Sequence, residues 1–272
     1  MKVHHLNCAT MHPVFPGLMH GDVDPVHRRF VCHCLLVETP DSGLVLIDSG
    51  FGTADVEGGS ARIGRFFTRL ARPKFDLAET ALHQIQAMGY SAGDVRHIVL
   101  THLDIDHAGG LGDFPNAKVH VMKAEREAAA NPNMREKARY LQKQWAHGPD
   151  WVLHEADGEP WFGFESVRDL AGLPPEILLV PLYGHTRGHA AIAVQQGGEW
   201  LMHCGDAYFH RTTITNTPSQ PFGLSVFETA VQINGRVRKQ NQTRLRELAA
   251  KHSNEVRIFS AHDSVEWGGC TG

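Results

Sequence analysis

Ile98-Val99-Leu100-Thr101-His102-Leu103-Asp104-Ile105-Asp106-His107-Ala108-Gly109-Gly110 is the stretch that decides how this chain is read. An apolar run stops abruptly at two histidines and two aspartates spread over His102 to His107, and a glycine pair closes it. Such a run, ending in polar residues and glycine, is a buried strand feeding a loop. Imidazole and carboxylate are metal ligands of intermediate and hard character. Four of them at the mouth of one strand mark a metal site rather than a solvated turn.

Upstream, helical spacing covers 60–72 and 76–88, with Leu77, Ala81, Leu82, Ile85 and Met88 along one side of the second and Gly89 as its stop. Strands are predicted over 2–8 and 30–38. The turn Asp41-Ser42-Gly43 makes a hairpin into Leu44-Val45-Leu46-Ile47. That run ends in Asp48, which either holds a tight turn or supports the metal ligands from outside. Cys32 and Cys34, two apart on a strand, read as core thiols. The loop 12–28 carries His12, His20, Asp22, Asp24 and His27 in no ligand spacing; it is a plain loop or a flap over the site.

Downstream, a strand at 117–122 and a polar helix over 123–146 lead to a segment rich in aromatics: Trp145, Trp151, Trp161, Phe162 and Phe164. These form a satellite core, an apolar wall for substrate, or both, because pockets are lined by aromatics. Further strands are predicted at 177–182, 190–194, 200–204 and 256–260, with helix over 225–251. Strands alternating with helices favour a layered α/β protein. With no linker in sight, 1–272 reads as one domain carrying a helical and aromatic insertion at about 123–175.

The bulk numbers agree with a globular protein. The chain has 272 residues, 42% hydrophobic and 21% charged, enough for a sizeable core. Its net charge of −4 and scattered basic residues argue against nucleic acid as a partner. No apolar run approaches the roughly 18 residues of a membrane span, so no membrane partner is expected. The N-terminus lacks a signal-peptide layout, and five widely spaced cysteines do not make a disulfide framework. A reducing, cytoplasmic setting follows as the expectation. The 19 histidines suit metal binding and proton transfer.

One pattern recurs: an apolar strand ends and His or Asp follows, at His102 to His107, at His189, at Asp206 and at His262. Ligands at the ends of different strands converge at one sheet edge. Seven such groups exceed a single tetrahedral zinc and suit two metals sharing a carboxylate.

His102-Leu103-Asp104-Ile105-Asp106-His107, Gly184-His185-Thr186-Arg187-Gly188-His189, Gly205-Asp206, the late His262 and the early Leu46-Ile47-Asp48-Ser49-Gly50 together resemble the metallo-β-lactamase-fold superfamily. The resemblance spans roughly 30 to 263 in the right order. It implies an αββα sandwich of two mixed sheets flanked by helices, with the site at one edge. Carried over residue by residue, it implies a first metal on His102, Asp104 and His189 and a second on Asp106, His107 and His262, bridged by Asp206. His185 is then structural or a support, His203 and Cys204 are core, and Asp263 is a candidate to orient His262.

Asp104 departs from the pattern, which has His there. A carboxylate oxygen binds zinc at similar distances but hardens that half of the site. Two divalent ions are implied, zinc the first choice, with iron or manganese made more competitive. The implied chemistry is attack of a bridging hydroxide on a carbonyl, with Asp106 orienting it and shuttling a proton to the leaving group. Tyr208 is a candidate to hydrogen-bond the carbonyl, although lactonases of this fold place a Tyr where this chain has Phe209. The expected substrate is a small lactone or carboxylic ester with an acyl or aromatic group. Thioesterase, phosphotriesterase and non-heme iron oxidoreductase activities are the alternatives, and a homodimer is admitted.

Overall fold

Runs of β-branched and aliphatic residues, which suit a pleated, half-buried surface, build two sheets in the computed structural model, which describes residues 1–165 and 170–271. The first sheet takes β1 (Lys2–Met11), β2 (Phe30–Glu38), β3 (Leu44–Ile47), β4 (Pro73–Lys74), β5 (Val95–Val99), β6 (Lys118–Met122) and β7 (Asp150–His154), in the order β4-β1-β2-β3-β5-β6-β7. A short ribbon, β8 (Pro160–Trp161) and β9 (Phe164–Glu165), follows. The second sheet runs β10 (Ile177–Pro181), β11 (Ala190–Gln196), β12 (Glu199–His203) and β13 (Val256–Phe259) in sequence order. The helices are α1 (Pro16–His20), α2 (Thr53–Ile63), α3 (Arg65–Ala71), α4 (Ala81–Ala87), α5 (Lys123–Ala130), α6 (Phe222–Val231), α7 (Gly235–Lys251) and α8 (Ser264–Thr271).

Alternation along the strands decides the layers. Leu35, Val37, Val45, Ile47 and Val99 point inward to meet Leu179, Ile192, Val194 and Phe259 of the second sheet. Their neighbours Leu36, Leu46, Ile98 and Val119 point outward, onto Ala81 and Ile85 of α4 and Ala128 and Ala129 of α5. Beyond the second sheet, Leu178, Val180, Met202 and Val256 pack on Leu245 and Leu248 of α7. The result is the expected αββα sandwich. β3, β5, β6 and β7 pair in parallel, as do β12 and β13. Their carboxyl ends therefore reach one edge of the sandwich, where the Ala190 N–H donates to the Thr101 carbonyl across the two sheets at 2.9 Å.

The helix boundaries shift for local reasons. The helix expected over 60–72 begins at Thr53 and is divided at Gly64, whose φ of 98° ends one segment and opens the next. The span 76–88 divides into a 3-10 turn, Leu77–Glu79, and α4, because Thr80 caps α4 by accepting from the His83 N–H. The long polar helix over 123–146 is eight residues, α5: Pro132 cannot continue a helix and biases Asn131 away from helical backbone. The supposed insertion then supplies an edge strand of the first sheet, β7, which the sequence pattern did not flag; its residues 166–169 lie outside the described set. The 225–251 helix divides where the Asn234 side chain caps α7.

The aromatics of that stretch are core rather than wall. Trp145 meets Trp151 edge-on and joins the α5 layer, while Trp161 and Phe164 pack under α7 with Leu245 and Leu248.

Candidate metal centre

The loops after β3, β5, β10, β12 and β13 meet at the shared edge, and each delivers one part of a buried cage. Asp206 is its centre. One of its oxygens, Oδ2, lies 3.3 Å from His185 Nε2 and 3.7 Å from His102 Nε2. The other, Oδ1, lies 3.0 Å from His262 Nε2 and 3.3 Å from His107 Nε2. Two groups of donor atoms therefore share this carboxylate: His102, Asp104, His185 and Asp206 on one side, His107, Asp206 and His262 on the other. Asp106 adjoins the second, with Oδ2 3.6 Å from His262 Nε2.

The outer nitrogens fix which way each ring faces. His262 Nδ1 donates to the Val31 carbonyl at 2.7 Å, so its Nε2 turns a lone pair into the cage. His107 does the same from Asp48, whose carboxylate accepts Nδ1–H at 2.8 Å. Asp48 also accepts from the Thr101 N–H and hydroxyl, both at 2.7 Å, and the Thr101 oxygen is thereby left to accept from His102 Nδ1 at 2.9 Å. Asp48 thus orients the His107 and His102 rings from outside the cage. Burial alone would raise its pKa, but the His107 charge and hydrogen bond bring it down to about 2.

These contacts test whether a cation fits. His107 Nε2 and His262 Nε2 are only 3.3 Å apart, each with its lone pair inward. His102 Nε2 and Asp206 Oδ1 are buried without a hydrogen-bond partner among the described residues. Lone pairs and a carboxylate converging in a dry site repel one another unless a cation lies between them. The residues fit divalent metal ions.

A family model described as the Metallo-beta-lactamase superfamily matches residues 27–262. The chain belongs to that superfamily. A probable metallo-hydrolase of Mycobacterium tuberculosis is 47% identical over 97% of this chain and 80% of its own length. An N-acyl homoserine lactonase of a Bacillus species is 25% identical over 87% of this chain and 83% of its own. Among solved structures, an N-acyl homoserine lactone hydrolase with N-hexanoyl-L-homoserine at its catalytic metal centre matches with a TM-score of 0.73 at 20% identity, covering 99% of this chain and 96% of that one. The last likeness is one of fold.

Within this metallo-β-lactamase fold the structure exchanges the two histidines of the 184–189 turn. His185 turns Nε2 into the cage, 3.0 Å from Asp104 Oδ2. His189 is spent elsewhere: Nδ1 donates to the Leu182 carbonyl at 3.0 Å, and Nε2 accepts the Asp206 N–H at 2.9 Å. So His189 braces the central aspartate instead of facing a metal. The brace needs Gly205, whose φ is +51° and whose added Cβ would lie 2.7 Å from His189 Nε2.

Tyr208 is also displaced from its expected role. It is fully buried, packs with Leu245 and Leu248, and donates to the Glu266 carboxylate at 3.1 Å. Its neighbour Phe209 faces the cage, stacked 12° from parallel on His262, and Phe30 meets the same ring edge-on. Asp263 does not orient His262; it accepts from the N–H groups of Arg211 and Val265. His203 and Cys204 are buried core residues. Cys32 and Cys34 are buried too, but Cys32 Sγ comes within 4.0 Å of Asp106 Oδ2. The 12–28 loop flanks the site, Met19 joining the Phe30 and Phe209 cluster and His20 packing on Phe30.

Two further residues have no counterpart in the expected set. Glu125 of α5 is fully buried and accepts from the Leu103 N–H, the Gly188 N–H and the Tyr140 hydroxyl, tying the motif loop to the 184–189 turn. Arg139 grips Asp104 through two parallel hydrogen bonds. A buried carboxylate in place of a neutral ring demands a cation, and Asp104 is the only signal in the sequence that points to one.

Two expected results follow from the Tyr208–Glu266 pair. Tyr208→Phe leaves turnover within about twofold and costs roughly 1 kcal/mol in denaturant unfolding, the worth of one hydrogen bond. Burial, then the nearby Asp263, push Glu266 up to about 8. A carboxyl raised on folding contributes stability that is complete below its unfolded value and is lost as pH rises through the folded one. Wild type therefore loses stability between about pH 5 and pH 9 relative to Glu266→Gln, by a few kcal/mol at about 1.4 per unit. Melting curves of the two proteins at pH 6 and pH 9 measure it.

Proposed function

We propose that this metallo-hydrolase opens a small lactone or carboxylic ester carrying an acyl or aromatic group, using a dinuclear centre. The observation that carries the reading is Asp206, with one oxygen turned to each group of donors. His102, Asp104, His185 and Asp206 would hold one ion, and Asp106, His107, Asp206 and His262 the other. Each half offers two imidazoles and two carboxylates, a mixture zinc accepts, and zinc is the first choice of metal. Two divalent ions held there would supply a water nucleophilic near neutral pH and a Lewis acid for the carbonyl.

The chain's own residues do the rest. Asp106, 13% exposed at its side chain beside His262, is placed to orient the attacking water and carry its proton to the leaving oxygen. Phe209 and Phe30 close one side of the cage against solvent. Ile105 belongs to the same cluster, and Met19, Phe67, Leu141 and Phe227 pack against it as partly buried residues. These apolar surroundings suit an acyl chain better than a polar group. The lactonase relative supports the same substrate class. The iron oxidoreductase alternative would rest on Asp104 alone, whereas the hydrolase reading rests on the whole donor set. A cytoplasmic setting belongs to the same proposal, supported by five free thiols.

A panel of lactone, ester, thioester and phosphotriester substrates with metal-loaded protein tests it. The expected result is turnover highest on lactones or esters with a medium acyl chain; turnover on none of the four classes overturns the reading.

A further inference from the structure

The guanidinium of Arg139 is part of the cage itself. Its Nε donates to Asp104 Oδ1 at 2.6 Å and its Nη2 to Asp104 Oδ2 at 2.5 Å, a two-point fork. The same Nη2 donates to His185 Nε2 at 2.8 Å. Its Nη1 donates to the Val231 carbonyl at 2.9 Å and the His185 carbonyl at 3.3 Å, fixing the group from behind. The side chain is only 11% exposed. Asp104 Oδ2 and His185 Nε2 are two of the donor atoms in the first group, and one cation already holds both.

We infer that Arg139 makes the two halves of the centre unequal: a divalent ion binds tightly to the half built by Asp106, His107, Asp206 and His262, while the guanidinium competes with the second ion for Asp104 and His185. The inference rests on the metal-binding reading above. An ion entering the first half must take the His185 lone pair from Nη2 and share Asp104 with a cation at contact distance. Buried like charges so close repel strongly. The second half meets no such competitor: among the described residues no Arg or Lys hydrogen-bonds to Asp106, His107 or His262, and His107 is backed by the Asp48 anion instead. The same arrangement accounts for Asp104 as a carboxylate, since a neutral histidine there would leave the guanidinium without its anion.

Zinc titration of chelator-stripped protein, followed by calorimetry and elemental analysis after gel filtration, tests the inference. Wild type is expected to retain about one ion per chain, with a second step weaker by about a hundredfold, some 2.8 kcal/mol at 1.4 per decade. Arg139→Gln keeps a donor for the backbone carbonyls but removes the charge, and is expected to tighten the second step by about tenfold or more. Arg139→Lys, which keeps the charge, stays nearer wild type. Manganese resonance spectra of wild type at one equivalent need no variant: isolated ions support the inference, and spin-coupled pairs overturn it. Two ions of equal affinity, unchanged in Arg139→Gln, overturn it while leaving the hydrolase reading standing. No metal bound by wild type overturns both.

Discussion

Asp206→Ala is expected to strip the centre and lower lactone or ester turnover by about a thousandfold or more, since even partners outside the ligand shell cost about 10–100-fold. Among the described residues no other side chain has an oxygen in both groups of donors. His107 Nε2 and His262 Nε2, 3.3 Å apart, would be left facing each other without the anion that draws a cation between them. Asp206→Asn is the sharper comparison, because it keeps the shape and the backbone N–H that donates to His189 Nε2 while removing the charge. Metal content by elemental analysis and kcat/KM on the best substrate should fall together in both variants. A variant that keeps its metal and its rate would remove Asp206 from the centre.

Glu125→Ala is expected to produce the largest loss of stability outside the cage. It strands the Leu103 N–H, the Gly188 N–H and the Tyr140 hydroxyl in a dry interior. At about 1–3 kcal/mol for each stranded donor, the sum is roughly 3–9 kcal/mol, a large share of the about 5–15 kcal/mol that holds a domain together. Because Leu103 lies between His102 and Asp104, and Gly188 adjoins the turn that presents His185, metal affinity should fall along with the unfolding midpoint. Glu125→Gln keeps an acceptor oxygen and should lose less on both measures. The close fit at this point extends to Gly188, where an added Cβ would lie 2.1 Å from the Glu125 nitrogen.

The layers and the location of the centre were legible because both depend on short-range patterns. Apolar runs that end in His or Asp at β5, β12 and β13 announce strands whose ends carry ligands, and the order of motifs along the chain implies the fold. Orientation was another matter. His185 and His189 stand in one turn with the same residue type at each end, and spacing alone does not say which ring looks inward. That choice is made by the Leu182 carbonyl and the Asp206 N–H, partners close in space that capture His189. Tyr208 and Phe209 pose the same problem, adjacent aromatics of which one packs under α7 and the other against His262. Arg139 and Glu125 were hidden because they come from a polar stretch read as one long helix, whereas Pro132 ends α5 and lets the chain turn Arg139 onto Asp104. Edge strand β7 lay beyond that misread helix and was lost with it.

Turnover and bound metal, followed in one sample as chelator-stripped protein is reconstituted with zinc, test the central claim most directly. The expected result is no hydrolysis of the preferred lactone or ester by stripped protein and a rate that returns in step with bound metal. Full turnover by the stripped protein would contradict a metal-dependent hydrolase.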